Sequence, residues 1–205
     1  GFLRHSSGRF FQIVGLNIQS SLIPSSWQQP IIRQREIGIL GLISRSINGT
    51  IHFLIQLKIE PGNLGYVQLS PTVQATKSNY SGVHGGRSVP YIEYFIDSNA
   101  QNTVIVLDQL QSEQGSRFLG KRNRNMIVHV ESDISYDDQR FVWLTLKQLK
   151  ELSLIDNMVN MDLRTILGCI NVYELMLISD SGSLNPCKSP SDLLSTYNCS
   201  HIDLS

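Results

Sequence analysis

The chain has 205 residues, with 17 basic and 17 acidic side chains and a formal net charge of zero at pH 7. This length predicts one domain or a tight pair. Balanced charge argues against a nucleic-acid binder, which needs a positive field to compete for phosphates. Only 17% of the residues are charged, so most polar groups are amides and hydroxyls. No apolar run reaches the roughly 18 residues of a membrane span, and we expect no membrane association.

The expected compartment is the cytoplasm. The first residues lack the apolar region of a signal peptide. The three cysteines, Cys169, Cys187 and Cys199, include no CxxC pair and predict neither a disulfide framework nor a zinc site. Cys187, Cys199 and His201 lie at no recognised ligand spacing, so we expect no bound metal.

A β-hairpin is predicted from Glu36 to Glu60, because Asn48-Gly49 separates two apolar arms. In the second arm the odd-numbered residues from Ile51 to Ile59 are apolar and share one face. We expect that face to pack on the core. The other face is expected to be solvated or functional.

The middle of the chain is predicted to alternate polar loops and strands. A short return strand, Tyr66 to Leu69, precedes the segment Ser70 to Ser88, which lacks periodicity and predicts a functional or disordered loop. Further strands are predicted at Tyr91–Phe95, Thr103–Leu107, Asn125–Glu131 and Phe141–Leu144.

Two amphipathic helices are predicted near the end of this region. Thr145 to Gln148 has the form of a capping box, and a second helix begins near Asn160 with apolar residues at helical spacing. A sheet followed by packed helices is an α+β domain. We expect residues 1–177 to form this domain and residues 178–205 to be a Ser-rich C-terminal tail of unknown role.

Three polar clusters are candidates for function. The first, residues 68–87, is rich in amides and hydroxyls and ends in His84, two glycines and Arg87. It fits a sugar and a phosphate, or a plain surface loop. The second, residues 111–125, has four basic residues and no acid between Arg117 and Arg124. That concentration suits a diphosphate, or is a basic surface turn. In the third, residues 156–165, helix capping alone explains Asn160 and Asp162.

Long strings within these clusters resemble the NDP-hexose 2,3-dehydratases of deoxysugar biosynthesis. The resemblance spans roughly residues 4–172, and its strings are EPGN at 60–63, VQLSPTVQATKSNY at 67–80, HGG at 84–86, PYIEYF at 90–95, QSEQGSRFLGKRNRNM at 111–126, WLTL at 143–146 and DNMVNMDLRT at 156–165. It implies a Nudix-like α+β fold, with a mixed or antiparallel sheet and packed helices. Enzymes of this family carry two tandem modules in one chain, and the resemblance covers one here.

The reaction that the resemblance implies is loss of water from a dTDP-linked 4-keto-6-deoxyhexose. The C3 proton and the C2 hydroxyl are removed, so the site needs a base, donors for the enolate oxygen and an acid. No cofactor is required, and a partner 3-ketoreductase is expected to consume the product. No stretch fits the acidic helix of Nudix hydrolases, so metal-dependent diphosphate cleavage is not supported.

The resemblance also suggests roles for individual residues. The base is Glu113 or His84, and Tyr80 or Tyr91 delivers a proton or holds the enolate. The thymine stacks on Trp27 or Tyr66, although Trp27 fits the core equally well. The remaining substrate-binding residues are Gln68, Thr72, Gln74 and Asn79 for the sugar hydroxyls, and Arg87, Arg117, Lys121, Arg122 and Arg124, of which the last four hold the diphosphate.

Two other functions stay open at this point. The chain is alternatively a non-catalytic nucleotide-sugar-binding module, or half of a duplicated dehydratase. If active sites need paired modules, a lone copy is expected to form a homodimer with an isologous interface. A Nudix-type hydrolase is disfavoured because the acidic motif is missing.

Overall fold

The computed structural model describes residues 3–4, 11–19, 26–64, 67–80, 88–97 and 103–171. Within them lie ten strands and four helices. In chain order they are β1 (Leu3–Arg4), β2 (Gln12–Ile18), β3 (Trp27–Arg33), β4 (Gly38–Ile47), β5 (Thr50–Ile59), β6 (Val67–Ser70), β7 (Val73–Ala75), α1 (Lys77–Tyr80), α2 (Glu93–Ile96), β8 (Thr103–Ser112), β9 (Arg122–Val130), β10 (Phe141–Thr145), α3 (Leu146–Ser153) and α4 (Met161–Cys169). The predicted α+β class is confirmed.

The central sheet has seven strands, in the order β10-β5-β4-β9-β8, with β6 beside β5 and β7 beside β4. Strands β4 and β9 pair in parallel and the other pairs are antiparallel, so the sheet is mixed. The predicted hairpin is confirmed: Asn48 and Gly49 have φ of 51° and 76°. Two successive positive φ values match the twist that a two-residue hairpin turn requires.

Both faces of this sheet are buried. On one side, which we call the α4 face, α3 and α4 cover a cluster that includes Leu40, Phe53 and Leu163. On the other, the α2 face, α2 and its flanking residues cover a cluster that includes Leu54 and Phe95. The expectation that the second face of β5 is open is therefore wrong at the middle of the strand. Leu54 is fully buried there, because residues from β7 to α2 fold back over it.

Two further predictions are wrong in the same region. The segment after Ser70 is not a loop throughout, because it contains β7, which pairs with β4, and Val73 of that strand is buried. The strand predicted at Tyr91–Phe95 is instead a turn followed by α2. Tyr91 has a φ of 64°, which breaks extended structure. The ring of Phe95 then packs on Gly41, where a Cβ atom would lie 2.5 Å from it.

The other predicted elements are confirmed. Strand β9 begins at Arg122, and β8 continues to Ser112, so both are longer than predicted. The capping box at the start of α3 is complete, with Thr145 and Gln148 bonded to each other's backbone. Helix α4 is capped by Asn160, whose Oδ1 accepts from Leu163 N at 2.8 Å.

A small separate sheet, β1-β2-β3, precedes the central one. It contacts the β8–β9 turn through Ile32, which donates to Arg117 O and accepts from Leu119 N, both at 2.8 Å. Among the helices that the structure describes, none is long and apolar enough to cross a membrane. The proposed tail, residues 178–205, lies outside the described residues.

Candidate active site

A pocket of about 190 Å³ opens on the α4 face, between the ends of β8 and β9 and the first turn of α4. Leu40 of β4 is its apolar wall, and the rest of the lining is largely polar. The other lining residues are Gln111, Ser112, Glu113, Gln114, Asn123, Asn125, Met161, Asp162 and Thr165. The second and third polar clusters of the sequence therefore meet in one pocket.

Glu113 is held by the turn that joins β8 to β9. Its backbone N–H donates to Lys121 O at 3.0 Å, which closes the turn. One carboxylate oxygen, Oε2, accepts from Asn123 Nδ2 at 2.6 Å, and the other accepts from Gln114 N at 3.2 Å. These bonds orient the carboxylate at the pocket wall and leave lone pairs for a ligand. Glu113, predicted as a candidate base, thus lies in the pocket.

Asn125 is the most deeply buried polar residue of the lining, with an exposed fraction of 0%. Its Nδ2 donates to Gln111 Oε1 at 2.6 Å. Its Oδ1 accepts no hydrogen bond from any residue that the structure describes. A buried acceptor without a donor is unfavourable.

Asp162 lies in the first turn of α4, and a hydrogen-bond network fixes the start of that helix. Asn160 caps the helix and donates through Nδ2 to Gln74 Oε1 at 3.1 Å and to Ser70 Oγ at 3.3 Å. Burial raises the pKa of Asp162 to about 6, and the negative charges of Glu113 and Glu60 add to the rise. The pocket thus holds a carboxyl group that titrates near neutral pH.

Two lysines face this group of carboxylates and oppose the rise in the pKa of Asp162. Lys58 is paired with Glu60 at 3.1 Å. Lys121 is buried and donates to Glu36 O at 3.0 Å. Burial lowers the pKa of Lys121, while Glu113, Glu36 and Asp162 favour its charged form.

Two of the residues predicted to bind sugar hydroxyls support the pocket from outside. Gln68 donates through Nε2 to Asn157 O at 2.8 Å, which links β6 to the segment before α4. Gln74 bonds Ser70, Asn160 and Glu60. Neither lines the pocket. Their hydrogen bonds to Asn157 and Asn160 position the start of α4.

Several predicted residues lie on the opposite side of the sheet, because side chains alternate along a strand. Arg122 and Arg124 alternate with the pocket residues Asn123 and Asn125, so they point to the α2 face. Arg124 pairs there with Asp108 at 3.1 Å. The structure therefore does not bring the four cations of the predicted diphosphate site together.

The two candidate tyrosines and Thr72 also lie away from the pocket. Tyr80 and Tyr91 pack against the α2-face cluster, and Tyr91 Oη donates to Ser135 O at 3.2 Å. Burial raises the pKa of the Tyr91 hydroxyl. Thr72 Oγ1 accepts from Ile43 N and donates to Leu54 O, so this buried hydroxyl links two strands.

The remaining predicted residues are exposed or outside the described parts of the chain. Asn79 is exposed on α1, and Arg117 is exposed on the turn that also carries Glu113. Trp27 is 41% exposed, so the alternative that it is a core residue is wrong. His84, Arg87, Tyr66, Cys187, Cys199 and His201 lie outside the described residues.

The sequence assigns no site role to Asp162 or Asn125. Helix capping explains Asp162, although an acid in a helix beside a run of amides is also a weak signal for a site. Asn125 lies in the second polar cluster and at the start of a predicted strand. The alternation of Asn123 and Asn125 between two arginines was the signal that separates a polar face from a basic one.

The fold and pocket define a class: an α+β domain whose site combines carboxyl groups with uncharged amides, which suits a neutral, hydroxyl-rich ligand. Within residues 3–4, 11–19, 26–64, 67–80, 88–97 and 103–171, no cluster of three or more His, Cys, Asp or Glu side chains is arranged to hold a metal ion. The family model for NDP-hexose 2,3-dehydratase matches residues 1–170. The chain belongs to this family.

Curated relatives support the same assignment. The chain is 49% identical over 181 residues to a dTDP-4-dehydro-6-deoxy-alpha-D-glucopyranose 2,3-dehydratase of Amycolatopsis orientalis. It is 47% identical over 173 residues to an enzyme with the same name from Saccharopolyspora spinosa. These alignments cover 85% and 84% of this chain but only 38% and 35% of the relatives. The chain therefore spans little more than a third of the length of these proteins.

A solved structure supports the fold. The crystal structure of an ADP compounds hydrolase has a TM-score of 0.52 and 11% identity to this chain, and the match covers 88% of this chain and 92% of that one. At this identity the likeness concerns the fold alone. The Nudix-like α+β fold that the sequence predicted is confirmed.

Proposed function

We propose that the chain is a module of a dTDP-4-keto-6-deoxyhexose 2,3-dehydratase, which removes the C3 proton and the C2 hydroxyl of the sugar. The observation that carries the proposal is the position of Glu113, oriented by Asn123 at the wall of a pocket whose other polar groups are largely amides. Family membership and the names of the relatives supply the substrate class.

Glu113 is the base in this proposal. The C4 ketone acidifies the C3 proton, because removal of that proton gives an enolate that spreads its charge onto the ketone oxygen. A positioned carboxylate contributes about 10²–10⁴ to the rate of such a proton transfer. His84 stays the alternative proposal for the base, and it lies outside the described part of the chain.

The size of the pocket suggests how a nucleotide sugar would lie. A volume of about 190 Å³ is below the ~300–1,000 Å³ of sites that enclose a whole drug-sized ligand. We place the hexose in the pocket and the dTDP outside it. We assign the diphosphate to Arg117, an exposed cation on the turn that carries Glu113.

The relatives' greater length bears on assembly. Because the chain spans 35–38% of these proteins, we propose that a second module normally accompanies it, in the same chain or through a homodimer. The product is a 3,4-diketone, and a 3-ketoreductase is its proposed consumer. The second candidate function, binding of a nucleotide sugar without turnover, is favoured by the same short coverage.

The decisive experiment is incubation of the chain with the dTDP-4-keto-6-deoxyhexose, followed by mass spectrometry for loss of one water. Size-exclusion chromatography with light scattering in the same buffer measures the assembly. Dehydration supports the enzyme. Binding of dTDP by a dimer with an unchanged sugar mass would refute the enzyme and select the binding module. A monomer that dehydrates would refute the need for a second module.

A further inference from the structure

Two carboxyl groups face the same pocket from different elements, and the reaction proposed above has so far used one. Glu113 comes from the turn after β8, and Asp162 from the first turn of α4. The turn and the helix are in contact next to these two residues, because Gln114 Nε2 donates to Met161 Sδ at 3.4 Å. The two carboxyl groups therefore share one pocket and lie on adjoining elements.

We propose that Asp162 is the acid of the elimination and donates the proton with which the C2 hydroxyl leaves as water. The proposal rests on the dehydratase function and adds to it a second catalytic residue. A hydroxide ion is a poor leaving group, so departure from C2 needs a proton from a positioned acid. Asp162 reaches the pocket from α4 and Glu113 from the β8–β9 turn, so the two proton transfers are assigned to carboxyl groups on different elements.

The elimination has two stages, removal of the C3 proton and loss of the C2 hydroxyl. Glu113 takes the C3 proton, and the electron pair of the C3–H bond moves into the C4 carbonyl to form an enolate. The enolate then restores the carbonyl, a C2=C3 double bond forms and the C2–O bond breaks. The electron pair of the C2–O bond stays with the oxygen, which takes the proton of Asp162 and departs as water. Glu113 ends protonated and Asp162 ionised, and proton exchange with solvent restores both.

The surroundings of Asp162 favour the acid role. Burial is the largest cause of its raised pKa, followed by the negative charge of Glu113. Glu60 raises the pKa further, while Lys58 and Lys121 lower it. The N-terminus of α4 also favours the ionised form. Burial and the two carboxylates therefore raise the pKa of Asp162 against Lys58, Lys121 and the helix dipole. A carboxyl group whose environment favours its protonated form is suited to donate a proton.

The start of α4 is built to hold this acid in place. Asn160 caps the helix through Leu163 N and is itself bonded to Gln74 and Ser70. Gln74 also donates to Glu60 at 3.3 Å. The network connects three elements to the turn that carries Asp162, so the carboxyl group is fixed relative to the sheet.

The first test separates the two proton transfers in the Asp162→Asn variant of the full chain. In D₂O with the dTDP-4-keto-6-deoxyhexose, we expect loss of water to fall about 10²–10⁴-fold. Exchange of the C3 proton for deuterium in unreacted sugar is expected to continue, because Glu113 is intact. Asp138→Asn, which changes an exposed carboxylate between β9 and β10 and outside the three polar clusters, is the matched control and is expected to behave as wild type.

A second test replaces the leaving group. Fluoride leaves from carbon without needing a proton as strongly as hydroxide does. With the 2-deoxy-2-fluoro analogue of the substrate, we expect Asp162→Asn to release fluoride within a few-fold of the wild-type rate. Asp162→Glu is expected to restore part of the loss of water from the natural substrate. A variant that only disturbs the fold would slow both substrates alike.

The outcomes distinguish this proposal from the function on which it rests. Dehydration by Asp162→Asn at the wild-type rate would overturn the acid role, as would parallel loss of C3 exchange and fluoride release. A wild-type chain that neither exchanges the C3 proton nor loses water would instead refute the dehydratase function, and the acid role with it. Retained exchange with lost dehydration supports both.

Discussion

The two faces of the central sheet differ in what they bury. The α2 face packs aliphatic and aromatic side chains, and several of its polar side chains are paired within the protein: Tyr91 with Ser135, Arg124 with Asp108 and Arg45 with Asp133. The α4 face is equally apolar at its centre but ends in a pocket with two carboxyl groups and an unpartnered amide oxygen. One face stabilises the fold, and the end of the other is arranged for a ligand.

The largest expected difference between the faces is in turnover. Glu113→Gln keeps the size of the side chain but removes the base, so dehydration should fall about 10²–10⁴-fold. Asp108→Asn, on the α2 side of β8, removes an ion pair with partly exposed members and is expected to leave turnover within twofold. Steady-state rates with the 4-keto-6-deoxy nucleotide sugar measure both. Equal rates in the two variants would remove Glu113 from the mechanism.

The α2 face should respond more strongly in stability. A methyl group added in Gly41→Ala meets the ring of Phe95 at 2.5 Å, and overpacking of this kind costs about 1–3 kcal/mol. In Gly168→Ala on α4 the added methyl meets nothing within 4 Å, and helix propensity favours Ala by up to ~1 kcal/mol. Urea denaturation compares the two. An unchanged free energy of unfolding in Gly41→Ala would mean that the α2 face is loosely packed.

The pocket should also make the stability depend on pH. The pKa of Asp162 is raised to about 6 in the folded chain, so the folded state holds its proton more tightly than the unfolded one. The contribution of Asp162 to stability is therefore fully present below about pH 4 and is lost as the pH rises through 6. Between these pH values we expect the free energy of unfolding of Asp162→Asn to fall by about 1–3 kcal/mol less than that of the wild type. Thermal unfolding of both proteins at pH 4.5 and 8 tests this, and parallel changes would contradict it.

The alternation of side chains on β9 leads to a difference in nucleotide affinity. Arg117→Ala is expected to weaken dTDP binding about 5–30-fold, the effect of losing one charge-assisted pair of about 1–2 kcal/mol. Arg124→Ala should leave affinity unchanged, because this guanidinium is bonded to Asp108 on the α2 side. Calorimetric titration with dTDP measures both. Weaker binding in Arg124→Ala would support the prediction from the sequence that Arg124 also holds the diphosphate.

The smallest effect is expected at Tyr91. Its ring packs edge-on against Phe141, with centroids 5.0 Å apart, and its hydroxyl bonds Ser135. Tyr91→Phe should keep the packing and change turnover less than twofold, with at most about 1 kcal/mol lost in stability. A tenfold loss of turnover with unchanged stability would show that the α2 face contributes to catalysis.

Much of the molecule follows from local patterns in the sequence. The Asn48-Gly49 hairpin, the alternation of β5 and β9, the capping box before α3 and the Asn160 cap are decided by residues close together in the chain. Glu113 is a candidate base for a similar reason, since it is the only acidic side chain of its motif, residues 111–126. Such signals act within a few residues, so they can be read without the fold.

Other features depend on contacts between distant segments. The parallel pairing of β4 with β9, the turn at Tyr91 and the burial of the second face of β5 are determined by elements far apart in sequence. Strand alternation then decided that Arg124 lies across the sheet from Asn125. The pKa of Asp162 is raised only in the folded chain, where the packing of α4 buries the carboxyl group and brings it near the charge of Glu113. The sequence by itself determined the family and the local elements, but the tertiary structure decided which charges share a pocket, because electrostatic and packing interactions depend on distance in space.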